Sequence, residues 1–201
     1  MNSSLELVDR DLAEAMIAGR EGAFQEFAER HGAAILAFAR RICGTHAEEV
    51  MQETFLRAYR SVKDLRDPSA LKSWIYRISV NECRKIHNRD RRGKELEIPL
   101  DEVLPGADAD ASDGRLADWS EVPLDRLLQG ELKEKLDEAI QNLPDDFRIV
   151  LVLRDMEGFS TAQTAEILEI GEPLVKVRLH RARLAIRRGL AEYLSCRSTS
   201  P

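Results

Sequence analysis

Apolar side chains recur at spacings of three and four residues over two long stretches of this chain, and nowhere do they alternate with polar ones for long enough to make a strand. That period is the helical one, because 3.6 residues per turn bring positions i, i+3, i+4 and i+7 onto one face. In the first stretch Phe24, Phe27 and Ala28, then Ile35, Phe38, Ala39 and Ile42, make one stripe. Val50, Met51, Phe55, Ala58, Tyr59 and Val62 make the next, and Leu71, Trp74, Ile75, Ile78 and Ile86 a third. The second stretch carries Leu132, Leu136, Ala139, Ile140 and Leu143, then Phe147, Val150, Leu151 and Leu153. It continues with Ala165, Ile167 and Leu168, and ends with Val175, Leu179, Ala182 and Ile186. The expected fold class is all-α.

The punctuation between the stripes is glycine and proline. Gly19, Gly22 and Gly32 are expected to interrupt the early helices and Gly44 to stop one. Asp67-Pro68-Ser69 reads as a turn that caps the helix after it. Pro144 suits a first helical turn, Gly158 a stop, and Ser160 a cap for a short helix. Ile170-Gly171-Glu172 then makes a tight glycine-containing turn into a last helix, Pro173 to about Leu194. Trp74 reads as core, and Tyr76, off its stripe, as the better candidate for stacking on a base.

Between the stretches the period fails. Residues 95–125 hold Pro99, Pro105 and Pro123, ten acids and one base, which is too little apolar surface to offset the entropy of ordering. The expected plan is therefore a helical domain over 1–93, an acidic flexible linker over 94–130 with Trp119 as an odd anchor, a helix-turn-helix domain over 131–194 and a disordered tail over 195–201. The formal net charge of −6 hides the same division. Residues 1–93 carry +2, residues 94–146 carry −11 and residues 147–201 carry +3.

Other classes are excluded. No apolar run reaches the roughly 20 residues that span a bilayer, and Met1 to Arg10 has no apolar block, so neither a membrane anchor nor a signal peptide is expected. Cys43, Cys83 and Cys196 are odd in number and widely spaced, against a disulfide framework. A cytoplasmic protein is expected. No Walker-type glycine loop, Gly-x-Ser-x-Gly or Cys-x-x-Cys occurs, so neither an enzyme nor a cofactor is expected. Cys83 with His87, and Cys43 with His46, are two-ligand pairs where structural zinc wants four ligands, and no metal site is expected.

Two basic clusters remain. From Gly171 to Leu190 six bases face one acid, and at 100° per residue the last helix separates into two faces. Val175, Leu179, Ala182 and Ile186 form a dry one, while Lys176, Val177, His180, Arg181, Arg187 and Arg188 lie roughly opposite. A helix of that kind, presented after a short helix and a tight turn, suits a major groove. A solvated face on an ordinary bundle helix is the alternative. Residues 77–94 hold Arg77, Arg84, Lys85, Arg89, Arg91, Arg92 and Lys94 against two acids. With Asn81 they suit phosphate contacts and an unstacked base; cations that complement a helix dipole are the alternative.

Glu48-Glu49-Val-Met-Gln-Glu-Thr-Phe-Leu-Arg-Ala-Tyr59, followed by Leu71-Lys-Ser-Trp-Ile-Tyr-Arg-Ile-Ser-Val-Asn81, resembles the second conserved region of the sigma factors. Leu143-Pro144, Arg148, Leu153-Arg-Asp-Met-Glu-Gly-Phe-Ser160 and Val175-Lys-Val-Arg-Leu-His-Arg-Ala-Arg183 resemble their fourth. With these two regions and little else, the chain resembles the extracytoplasmic-function (ECF) group. The resemblance implies an initiation factor that docks on the clamp helices and flap of core RNA polymerase and recognises −10 and −35 promoter elements, as duplex and as locally melted DNA. The clamp contact falls on Glu48, Glu49, Gln52 and Glu53, with Phe55 as core. The −10 side falls on the segment Asp64–Ala70 and on Asn81, Arg84, Lys85, Arg89, Arg91 and Arg92. The −35 side falls on Lys176, Val177, Arg178, His180, Arg181 and Arg183. Control by an anti-sigma protein is implied as well, with no membrane contact except through that inhibitor. Pro173-Leu174 stands where the group has Gly-Thr, Gln163 where it has Glu, and the linker is long and acidic for the group. The rival reading is a stand-alone helix-turn-helix regulator that binds a palindrome without polymerase.

Overall fold

The structure, a computed structural model, describes residues 2–91 and 130–197. Among them every regular element is helical. They divide into two compact units, residues 2–91 with 162–170, and residues 130–161 with 171–197. Most of the linker, with Trp119 and Arg92, lies outside the described residues.

The first unit begins with α1 (Asn2–Ile17), α2 (Ala23–Cys43), α3 (Ala47–Ser61) and α4 (Leu71–Arg91). Gly19 and Gly22, at φ 72° and 78°, make the corner between α1 and α2, and Gly44 at φ 56° ends α2. Gly32 does not interrupt anything: α2 runs through it for 21 residues. Phe27 and His31 lie before it and Ile35, Phe38 and Ile42 after it on one buried stripe. Burying that stripe outweighs the roughly 1 kcal/mol a mid-helix glycine costs. Asp67 caps as expected, its Oδ1 accepting from the Ser69 N–H at 2.9 Å and from Ser69 Oγ at 2.7 Å.

Three aromatic assignments change. Tyr76 is buried, 1% exposed, with its ring edge-on to Phe38 at 5.1 Å, so it is core and not a stacking platform. The reason is that α4 packs against both α2 and α3 and buries a wider arc than one stripe. Phe55 is only half-buried, set edge-on against Phe24 and Phe27, and Tyr59 is 64% exposed. Ile78 is half-buried, whereas Leu71, Trp74, Ile75 and Ile86 are core as expected.

In the second half of the chain α5 (Gly130–Gln141) is followed by α6 (Asp145–Leu151), with Pro144 just before the helix, one position ahead of the first turn expected for it. Arg148 closes the end of α5, its guanidinium donating to the carbonyls of Ile140, Gln141 and Leu143 at 3.1, 2.6 and 2.7 Å. That satisfies acceptors a helix C-terminus leaves orphaned. After Leu151 the chain widens into a π turn, Val152–Met156, and Gly158 at φ 75° stops it.

The short helix α7 (Thr161–Leu168) begins directly after Ser160. It ends in a Schellman arrangement, with the Ile170 N–H on the Ala165 carbonyl at 3.0 Å and the Glu169 N–H on the Glu166 carbonyl at 3.3 Å. The left-handed residue of this turn is Glu169, at φ 57°, and not Gly171. The last helix, α8 (Glu172–Arg197), packs on α5 and α6 and buries Val175, Leu179, Ala182 and Ile186. It reaches Arg197, three residues beyond the end expected for the domain.

Candidate nucleic-acid interface

On α8 the dry and cationic faces separate as the sequence implies. Opposite the buried stripe, Lys176, Val177, His180, Arg187 and Arg188 are exposed and Arg181 is partly so. Two of the six residues expected on the −35 side are ion-paired within the chain. Arg178 is 15% exposed and donates to Asp146 Oδ2 at 2.6 Å. Arg183 is 22% exposed and grips both oxygens of Asp155, at 2.9 and 2.6 Å. Its hydrogen bond to Asp155 holds the guanidinium even more firmly protonated than usual, against the opposing effect of burial. Helix α8 thus presents Lys176, Val177, His180 and Arg181 along its N-terminal half, with Arg178 and Arg183 turned onto α6 and the π turn.

On α3, Glu48, Gln52 and Glu53 are exposed. Glu49 is half-exposed and already engaged: Arg89 Nη1 and Nη2 donate to its two oxygens at 2.9 and 3.4 Å, and His46 Nδ1 lies 3.4 Å away. The Arg89 hydrogen bonds, more than any other influence, hold the Glu49 carboxyl below its ordinary range. One residue expected on the polymerase side and one expected on the −10 side are therefore joined. On α4, Asn81 is exposed and Arg84 partly so. Lys85 Nζ donates to both oxygens of Glu82, at 3.0 and 3.2 Å. Arg57 Nε reaches the same carboxylate from α3 at 2.6 Å. The Arg91 side chain, like Arg92, lies outside what the structure describes.

The sequence reading missed the acids that organise these cations: Glu82, Asp146 and Asp155. Glu82 is 6% exposed within a basic run, and that surrounding charge was the one signal for it. Asp146 and Asp155 are 32 and 28 residues from the arginines they hold, so no local pattern announces them. Among the described residues no group of three or more His, Cys, Asp or Glu is placed to hold a metal. No helix among them is long and apolar enough to cross a membrane.

Residues 27–93 match the model of sigma-70 region 2, and residues 133–186 that of sigma-70, region 4. The chain is 31% identical over 180 residues to the ECF RNA polymerase sigma-E factor of Haemophilus influenzae, covering 89% of this chain and 93% of that one. It is 31% identical over 189 residues to the RNA polymerase sigma-H factor of Pseudomonas aeruginosa, covering 92% of this chain and 95% of that one. In fold it is similar to the sigma factor RpoE of Bartonella quintana, solved in complex with the anti-sigma factor NepR. The TM-score there is 0.60 at 22% identity, over 85% of this chain and 98% of that one. Two sigma regions in order on one helical chain, and full-length likeness to such factors, decide the family: the chain belongs to the sigma-70 family of RNA polymerase initiation factors, in its ECF group.

Proposed function

We propose that this chain is a cytoplasmic promoter-recognition subunit, an initiation factor and not an enzyme. It binds core RNA polymerase through the acidic face of α3, at Glu48, Glu49, Gln52 and Glu53. The domain over 1–93 engages the −10 element through Asn81, Arg84 and the basic end of α4, and the helix-turn-helix over 131–194 reads the −35 element. The observation that carries the reading is α8 itself: a helix with a buried stripe on one side and exposed Lys176, Val177 and His180 on the other. The acidic block over 94–146, at −11, opposes a polyanion, so promoter affinity belongs to the complex with polymerase more than to the free chain.

The test is to purify the untagged chain from its native cell with its bound proteins, then to run off transcripts with reconstituted polymerase. Core subunits in the preparation and initiation at discrete promoters are expected. Tight binding of the free chain to a palindromic duplex, with no polymerase recovered, would instead establish a stand-alone regulator.

Control by an anti-sigma protein is part of the same reading. Leu56 and Tyr59 are 41% and 64% exposed beside the acids of α3, an apolar patch suited to a helical inhibitor. Such a partner would cover the Glu48–Tyr59 face and the exposed face of α8. A native pull-down that recovers polymerase and no stoichiometric inhibitor would refute it.

A further inference from the structure

Two acids on one element hold two arginines on the recognition helix. Asp146 lies in the first turn of α6 and Asp155 in the π turn that continues it. Their partners Arg178 and Arg183 lie five positions apart on α8, roughly 7.5 Å along its axis at 1.5 Å per residue. One contact fixes a point on a helix and leaves it free to roll or pivot. Two contacts more than a turn apart fix its axial position and its rotation together. The Asp155 contact is bidentate, the geometry that gives an arginine–carboxylate pair directional as well as electrostatic strength. Arg183 and Asp155 are both mostly buried, at 22% and 23% exposure, so solvent screens that pair less than a surface one, whereas Asp146 is half-exposed beside the buried Arg178.

We infer that Asp146 and Asp155 are positioning residues for −35 recognition, which set the rotation of α8 in the groove through Arg178 and Arg183. Those two arginines leave the set that meets DNA. This deepens the proposed function and rests on it. The acids also act as internal counter-charges, so α8 offers phosphates fewer cations than the six bases between Gly171 and Leu190 suggest. Each phosphate contact contributes about 0.9 to the slope of log affinity against log salt concentration on duplex DNA. Arg178 and Arg183 should contribute nothing to that slope.

The experiment uses the full chain assembled with core RNA polymerase and a pool of duplex promoters randomised over the −35 element. Wild type is expected to select a defined sequence; if it selects none, the proposed function fails before any variant is read. Asp155→Asn is expected to keep polymerase binding but to lose about tenfold in base preference at one or more −35 positions. Its salt slope should steepen by about 1 as Arg183 becomes available to phosphate. Asp155→Glu should restore most of the preference. Asp146→Asn, at a carboxylate that is half-exposed and so mild to remove, should blur the selection in the same sense through Arg178. Arg183→Met should leave the salt slope at the wild-type value. Unchanged sequence selection in both Asp variants would overturn the inference. So would a slope reduced by about 1 in Arg183→Met, which would make that arginine a phosphate contact.

Discussion

Arg89 reaches across 40 residues of sequence to place its guanidinium on both oxygens of Glu49. The contact joins the C-terminal part of α4 to the first turn of α3. Because the Arg89 hydrogen bonds hold the Glu49 carboxyl low, the pair is intact above the carboxyl's ordinary titration range and is lost as pH falls through the lowered value. In Arg89→Ala the Glu49 midpoint, followed by NMR titration of its side-chain carboxyl, should move back up toward the ordinary 4.5. An unchanged midpoint in Arg89→Ala would show that the pair does not form in solution.

On the proposed reading Arg181 lies on the DNA-facing side of α8, and an arginine there has the reach for a bidentate contact to guanine. Arg181→Ala in the polymerase complex should cost about 1–3 kcal/mol and relax preference at one −35 position. Equal loss on every −35 variant for Arg181→Ala would make that residue a phosphate contact.

His31 is buried between Phe27 and Asp9, its ring 4.9 Å from Phe27 and its Nε2 3.2 Å from Asp9 Oδ1. Burial lowers its pKa more than Asp9 raises it, so the fold prefers the neutral ring. The unfolded chain takes up this proton first, near pH 6.5, and stability is lost as pH falls from there through the lower folded value. Urea midpoints measured between pH 7.5 and 5 should decline, and His31→Asn should flatten the decline.

Two backbone positions offer stabilising substitutions. A Cβ on Gly32 meets nothing within 4 Å, so Gly32→Ala should add about 0.5–1 kcal/mol by removing a flexible residue from mid-helix. At Glu169, φ 57° is strained for an L-residue by roughly 1–2 kcal/mol, and Glu169→Gly relieves that while adding some chain entropy. A net gain of about 1 kcal/mol is expected from urea denaturation. A net loss at either site would contradict the helical conformation of Gly32 or the left-handed one of Glu169.

The faces of α8 were legible in the sequence because a single buried stripe repeats at the helical period, and Val175, Leu179, Ala182 and Ile186 keep to it. Tyr76 was not, because α4 is flanked by two helices and buries residues beyond one stripe. The cations of both candidate faces were legible as charge, but their partners were not. Arg183–Asp155, Arg178–Asp146 and Arg89–Glu49 each link elements far apart in sequence, and such pairing leaves no periodic trace. In the turn after α7 the left-handed conformation falls on Glu169, a residue type that gives no sign of it in the sequence.

The π turn at Val152–Met156 sets a phase. Asp146 and Asp155 are nine residues apart, and on an unbroken α-helix at about 100° per residue they would point in opposite directions. A π turn absorbs one residue, which brings them to within roughly 80° of each other, close enough for both to meet the same neighbouring helix. The extra residue therefore works as a shim between two carboxylates. Eight residues of regular α-helix would leave the same angle of roughly 80°. Removing one residue from the π turn should thus keep both acids in phase, whereas ironing the turn into regular helix at full length would swing Asp155 away from Arg183.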